Sequence, residues 1–412
     1  MKSKIIALTM LAVTALSVAA YPVVKEELRN VSGFAESSSP YKNAMPLTNA
    51  RSLQEAGENR IDVVFVLDTT GSMTGLIQAA KENIWSIASS MAQAQGAPEI
   101  RIGLVAYRDR NDKYVTKVVD LSSDLDSVYA QLMDFEADGG GDSPESVNRA
   151  LAEAVNKMSW SQDKDAYKVV FLVGDAPPHM DYPNEMRYPE IVRLAKSKNI
   201  VVNAIQCGID VSAKRRWKHI AQLGAGDYFQ VAQSGGAIAM NTPFDNEMAS
   251  LSRDLDSTRL YYGTDDVKRK KRAKVQASGK LYRSSSVASQ AKRAAYNMSG
   301  SGESNLFGDA ELVEDINKGR VKLSSIKDQH LPESMQNTTA EEKQRILKLS
   351  YDKRAKLKNK IKALSAKRSE YIRNKMDESG GAENSLNEKI FSSIKKQAEE
   401  KGIVYLSDEA AL

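Results

Sequence analysis

Five oxygen-bearing side chains in three short segments are placed to do chemistry together. Asp68, Thr69, Thr70, Gly71 and Ser72 put a carboxylate and alternating hydroxyls on one tight turn. Oxygen donors spaced in this way can converge on a single hard cation. A second carboxylate, Asp142, follows Gly139, Gly140 and Gly141, a stretch stripped of side chains. A third, Asp175, follows Gly174 at the end of the apolar run 169–173. Carboxylates gathered in one place raise one another's pKa unless a cation or hydrogen bonds compensate them. The candidate metal ligands are therefore Asp68, Thr70, Ser72, Asp142 and Asp175. Read singly, the same residues are helix caps, since Asp, Thr and Ser all satisfy the free N–H groups of a first turn. Capping alone leaves Asp142 and Asp175 at neighbouring ends unexplained.

The elements that must hold these residues alternate along the chain. Apolar runs at 61–67, 100–107, 167–173 and 200–206 read as strands. A more polar run at 114–119 belongs near an edge, and 228–231 is a weak strand. Apolar residues at helical spacing mark helices at 76–94, 125–135, 145–158, 186–198, 213–223 and 244–255. Several strands are apolar on both faces, which predicts an α/β, doubly wound, mostly parallel sheet with helices on both faces. In such a sheet ligands bind beyond the carboxyl ends of the strands, and all three segments fall there.

Residues 60–258 resemble the von Willebrand factor type A family. Its metal-ion-dependent adhesion site uses Asp-x-Ser-x-Ser, a Thr or Asp in a second loop and an Asp in a third. Asp68, Thr70 and Ser72 match the first element, with Thr70 as a hydroxyl replacement; Asp142 falls at the second and Asp175 at the third. The resemblance implies a Rossmann-like domain holding one divalent cation, Mg²⁺ or else Mn²⁺ or Ca²⁺. It implies that the two hydroxyls ligate directly, that Asp68 and Asp175 act directly or through water, and that an open position accepts an acidic residue of a protein partner. Mg²⁺ suits that role because it keeps exchangeable waters. Adhesive members carry Thr where this chain carries Asp142, and a bound carboxylate there weakens the ion's pull on a partner's acid. The stretch from Gly139 to Glu145 is similar to a bacterial subgroup with long C-terminal extensions.

Other chemistries find less support. Gly71 directly precedes Ser72, so the Gly-x-Ser-x-Gly elbow of a serine hydrolase is missing. No phosphate-binding Gly-x-x-x-x-Gly-Lys-Ser/Thr motif occurs. With three histidines and the single Cys207, neither structural zinc nor a disulfide is available. Cys207 reads as a buried inert thiol, His219 and Trp217 as helix packing, and His179 as part of a stiff loop at the rim.

Residues 1–20 combine a basic start, an apolar run and small residues at Val18 and Ala20, the pattern of a cleavable secretory signal cut after Ala20. A periplasmic or secreted location is expected, without lipid attachment because no cysteine follows the run. Residues 21–57 read as a flexible leader, 58–258 as the sheet domain, 259–339 as a basic, partly disordered linker, and 340–412 as a helical extension. The linker reading rests on the basic run 268–272 and the Gly/Ser stretch 299–304. In the extension, helices at 340–376 and 386–401 are expected. Leu357, Ile361, Leu364 and Tyr371 form a stripe that Arg354 and Arg368 interrupt, which favours a helical hairpin over a long coiled coil.

Charge divides the chain. Residues 1–250 carry 25 Lys and Arg against 30 Asp and Glu, and residues 251–412 carry 33 against 23. The basic half could meet an anionic membrane surface or fold against the acidic domain; with few aromatics among its basic residues, nucleic acid is not expected. The function expected is an exported, non-enzymatic, metal-dependent protein-binding module. Its rival is a scaffolding envelope protein whose ion only stabilises the loops and whose basic tail makes the contacts.

Overall fold

The computed structural model describes residues 59–141, 143–233, 240–378, 386–405, 407, 410 and 411. The expected signal segment, the leader and Asp142 lie outside them. Six strands form one sheet: β1 (Arg60–Asp68), β2 (Glu99–Tyr107), β3 (Thr116–Ser122), β4 (Tyr167–Gly174), β5 (Ile200–Cys207) and β6 (Ala225–Val231). Their order is β3-β2-β1-β4-β5-β6, and every pair is parallel except β2 with β3. Both neighbours of β1 meet it at Phe65, opposite Leu104 and Phe171. The chain reverses direction of winding at β1 and β4, so the crevice between their carboxyl ends is the switch point of the fold. The polar strand β3 is the antiparallel edge, as its composition suggests.

Period-two alternation sorts each central strand between two cores. Ile61, Val63, Phe65 and Leu67 face α1 (Thr74–Met91) and α2 (Leu125–Leu132). Val64 and Val66 face α3 (Val147–Lys157), α4 (Tyr188–Ser197) and α5 (Val211–Leu223). The helix after β6 is α6 (Asp245–Asp256). The doubly wound, mostly parallel architecture is thus present, with helices on both faces.

The region expected as a linker is helical instead. It holds α7 (Asp265–Ser284), α8 (Val287–Tyr296), α9 (Gly300–Phe307) and α10 (Leu312–Asn317). Gly/Ser-rich α9 has little helix propensity of its own; tertiary contacts hold it. Ser299 caps it by accepting from the Gly302 amide at 2.9 Å, and a side chain at Gly302 would strike the Tyr296 carbonyl. Asn305 Oδ1 accepts from the Leu125 amide at 2.8 Å, so α9 in turn caps α2. Part of the basic charge of α7 is paired, Lys274 with Asp124 at 2.5 Å and Lys271 with Asp309.

The extension comprises α11 (Ala340–Glu378) and α12 (Leu386–Glu399). Leu357 and Ile361 of its apolar stripe pack on Met248, Leu251 and Phe307, not on the second helix as a hairpin would have them. The interrupting arginines are buried and paired. Arg354 forks onto Glu311 at 2.6 and 2.8 Å and donates to the Thr258 carbonyl, and Arg368 donates to Asp245 at 2.9 Å. Meanwhile α12 lies on α1 and β6, where Ile390, Phe391 and Ile394 join the core beneath β1 and β4. Gln397 bonds Tyr167 and Asn203 of the sheet at 2.7 and 2.8 Å. No helix among the described residues is long and apolar enough to cross a membrane.

Phe391→Ala should cost about 3–5 kcal/mol, the usual loss for a core aromatic, read from the urea midpoint at unchanged slope; a loss below about 1 kcal/mol would place α12 outside the core. Arg354→Met should cost about 3–5 kcal/mol because Glu311 is left buried and unpaired. The double variant Arg354→Met with Glu311→Gln should be more stable than that single variant.

Candidate metal centre

Asp68 is the last residue of β1 and is fully buried. Its Oδ1 accepts from the Thr70 amide at 2.9 Å and the Thr70 hydroxyl at 2.7 Å. Those bonds bend the chain back over the strand end and open the short turn Gly71–Met73 that leads into α1. Ser72 rides on that turn, its hydroxyl 3.3 Å from that of Thr70. Asp175 follows β4 directly, one step beyond Gly174 in the strand beside β1. Its Oδ2 accepts from Gln233 Nε2 at 2.7 Å, and the same amide reaches the Ser72 carbonyl at 3.3 Å. Asp68, Thr70, Ser72 and Asp175 are therefore brought together at the switch point.

Asp142 lies outside the described residues, but the glycines before it are placed. Gly71 donates to the Gly139 carbonyl at 3.1 Å, and Asp138 donates to the Thr69 carbonyl at 3.1 Å. Gly140, at φ +72°, rests against Thr70 so closely that a Cβ would overlap its side chain. The absence of side chains across these glycines thus lets the second loop touch the first.

Electrostatics at Asp68 are unusual. Burial, and secondarily the nearby Asp175, outweigh the two Thr70 bonds and push its carboxyl up to about 7. Its second oxygen, Oδ2, is buried without a hydrogen-bond donor among the described residues. The Tyr107 hydroxyl, which also reaches the Val173 carbonyl at 3.5 Å, is the weakest of the influences that pull the carboxyl down. Among the described residues no group of three or more His, Cys, Asp or Glu side chains converges as a metal site. The donor set here is mixed, two carboxylates and two hydroxyls. All are hard oxygens, and the 3.3 Å between the hydroxyls compares with the roughly 3 Å separating adjacent ligands of a six-coordinate ion at ~2.1 Å. The residues present fit a divalent cation.

Several supporting residues escaped the reading of the sequence. Arg108, buried just past β2, donates to the carbonyls of Thr69 at 3.0 Å and Glu136 at 2.8 Å, tying the first two loops together. Asp112 accepts from the Gly140 amide at 3.2 Å. Gln233, just past β6, holds Asp175. Arg108 and Gln233 stand at strand ends, where the rule that located Asp68 would have reached them had it been applied to uncharged and basic residues; Asp112 lies in the loop between β2 and β3. His179 fastens the third loop: its Nδ1 lies 2.8 Å from Asp181, its Nε2 3.4 Å from Asp109, and its ring stacks on Tyr182. Cys207 is buried and its thiol is pushed up by burial, in keeping with an inert group. Trp217 packs beneath the third loop, donating to the Ala176 carbonyl at 3.1 Å.

Comparison with known proteins places the sheet. Residues 62–243 match the model of the von Willebrand factor A domain. A putative ariadne-like RING finger protein of Acanthamoeba polyphaga mimivirus is 27% identical over 119 residues, 29% of this chain. The match spans only 11% of that protein's length. Similar solved structures include the conserved hypothetical protein BatB of Bacteroides thetaiotaomicron, 15% identical, covering 42% of this chain and 90% of its own at a TM-score of 0.33. The SpRpn10 VWA domain is 14% identical, covering 43% and 91%, also at 0.33. Proximal thread matrix protein 1 of the mussel byssus, solved with a zinc-occupied MIDAS motif, is 17% identical, covering 42% of each chain at 0.33.

The raised carboxyl of Asp68 has a definite sign. An acid whose folded pKa lies above its unfolded value makes the ion-free protein lose stability as pH rises from about 4 to about 7, by on the order of 4 kcal/mol. In chelator at pH 8, Asp68→Asn should therefore melt above the native protein. A divalent ion favours the carboxylate, so the ion-induced rise in Tm should grow with pH up to about 7 and vanish in Asp68→Asn. Thermal melts across pH with and without Mg²⁺ check both signs.

Proposed function

We propose that this protein is an exported, non-enzymatic module that binds a protein partner through a divalent cation held by Asp68, Thr70, Ser72, Asp142 and Asp175. The observation that carries the reading is the buried Asp68 Oδ2, left without a donor beside two hydroxyls spaced for one ion. A buried charge needs a partner, and a cation is the partner that this oxygen-only donor set suits. Mg²⁺ fits first, with Mn²⁺ and Ca²⁺ as the other hard ions. Thr70 and Ser72 would ligate directly, with Asp68 and Asp175 directly or through water. When bound, the ion would supply a Lewis-acid position facing solvent, where a partner's carboxylate displaces water. The chain's own residues set that position: Arg108 and Gly140 lock the second loop to the first, and Gln233 aims Asp175.

The family supports binding over catalysis, since von Willebrand factor A domains commonly mediate protein interactions. Among the described residues, Ser72 Oγ is bonded to the Thr70 hydroxyl and not to a base, which supports the non-enzymatic reading. Export rests on the sequence pattern of residues 1–20.

One observation favours a second reading, in which the extension makes the contacts. Lys353, Lys356, Lys360 and Lys367 lie exposed at helical spacing on α11 with no ion pair among the described residues, a stripe suited to an anionic membrane surface or an acidic scaffold partner.

Calorimetry and affinity capture separate the two. Purified protein titrated with Mg²⁺, Mn²⁺ and Ca²⁺ should bind one ion per chain, with the heat lost in Thr70→Ala and Asp175→Ala. Partners captured from an envelope extract should elute with chelator. Partners that survive chelator but leave in high salt would establish the extension as the contact surface, and no heat with any of the three ions would end the metal-dependent reading.

A further inference from the structure

Beside the proposed ion position lies the most exposed apolar surface in the described chain. Ile209 is 85% and Val211 76% exposed, whereas the other exposed large apolar side chains reach only 57%. Both follow β5, on the rim where the metal loops lie. Gly174 pairs with Gln206, so Asp175 is level with Cys207 and Ile209 stands two residues beyond. Gly208, at φ +75°, turns the chain outward and lies against Gln233, the residue that bonds Asp175 and Ser72. A chain of contacts thus runs from the ligand carboxylate to the apolar pair.

The two side chains sit where an ordinary fold would keep polar residues, and nothing in their own element requires them. Asp210 between them is used internally: its carboxylate caps α5, accepting from the Ala213 amide at 2.6 Å, where the helix dipole offsets its charge. One turn on, Lys214 and Arg215 occupy the same helical face as Val211, at spacings of three and four. Neither has an ion pair among the described residues, and cations in a first turn oppose the dipole. The opposite flank of the site is acidic. Asp138 and Asp181 expose 73% and 75% of their side chains there, Asp138 beside Arg108 at 3.5 Å and Asp181 beside His179 at 2.8 Å. An acidic ligand is drawn toward Lys214 and Arg215.

Resting on the ion-capture reading and extending it, we propose that Ile209 and Val211 form the specificity surface of the metal site. The occupant is a protein segment carrying an acidic residue for the ion and, within a residue or two of it, a bulky apolar side chain that covers Ile209 and Val211. A further acidic residue toward Lys214 and Arg215 completes the match. Apolar contacts of this kind at the centre of a small interface carry much of its affinity, and the flanking charges steer the approach.

A random dodecapeptide phage library, panned on the full chain in Mg²⁺ and eluted with chelator, tests this directly. The expected outcome is enrichment of Asp or Glu close to Leu, Ile, Phe or Met. The synthesised consensus peptide should bind Ile209→Ser and Val211→Ser about tenfold more weakly, while both variants keep native Mg²⁺ affinity and melting temperature, as substitutions at exposed positions do. Enrichment of acidic residues without an apolar neighbour, or undiminished binding to Ile209→Ser and Val211→Ser, overturns the specificity surface and leaves ion capture standing. Enriched phage that stay bound through the chelator wash and leave only in acid, or no enrichment in either eluate, overturn the surface too; in the first case ion capture falls with it.

Discussion

A carboxylate sealed into protein without a compensating charge is among the most costly arrangements a fold can contain. Asp68 is held in that state by geometry that the rest of the sheet enforces. It ends the central strand β1, so the neighbours on both sides and the helices above and below exclude water from it. The turn that follows satisfies only one of its oxygens. Moving Asp68 outward would require unpairing the end of β1 from β2 and β4. The arrangement is therefore stable as a fold and incomplete as an electrostatic object, and that combination is what an ion site built before its ion arrives looks like.

Preorganisation of the hydroxyl donors depends on α1, which starts two residues after Ser72. A helix free to shift along its axis would carry the turn with it. Here α1 is clamped from the far half of the chain. Lys292 donates to the Glu82 carbonyl and to Asn83, each at 3.0 Å, and Tyr296 packs on Trp85. On its other flank α12 joins the same core as Ile84 and Ile87. Burial of Lys292 pushes its ammonium down to about 8, a cost accepted for two hydrogen bonds that fix the helix. The second half of the chain, through α8 and α12, thus acts on the candidate site by the rigidity of one helix.

Much of this was legible in the sequence because the informative signals are local. Apolar runs ending in Asp68, Gly174 and Cys207 specify parallel strands, and the polar composition of β3 specifies its edge position. Most donors of the site are readable for the same reason: Asp68 ends β1, Thr70 and Ser72 follow within four residues, and Asp175 is the first residue past β4. What was not legible is the fate of residues 259–339. Serine, glycine and lysine in that stretch have the composition of a linker, and α9 and α7 become helices only because distant groups complete them, Asn305 on α2 and Lys274 on Asp124. Contacts between residues more than a hundred positions apart leave no periodic trace. Gln233 was missed on other grounds, since an amide at a strand end has no metal-ligand signature and gains its role only through Asp175.

The division of charge between the halves finds its explanation in the same long-range contacts. Acidic residues of the sheet domain, Asp126, Asp245 and Asp256, meet basic residues of the second half inside the protein rather than on its surface. Arg293 is the centre of one such cluster, fully buried, with both guanidinium nitrogens that face Asp126 at 2.6 Å and with Asp256 at 3.0 Å. The coulombic pull of Arg293, Lys274 and Arg259 holds the Asp126 carboxyl well below the usual range despite its burial. Buried pairs of this kind add little net stability over apolar packing, but each is strict about its partner. A chain whose halves are joined by Arg293 to Asp126 and Arg368 to Asp245, and whose second half is tied within itself by Arg354 to Glu311, has three points at which a misregistered helix would strand a charge. The basic residues that resemble a solvated tail are, at these positions, the devices that fix where each helix of the second half must sit.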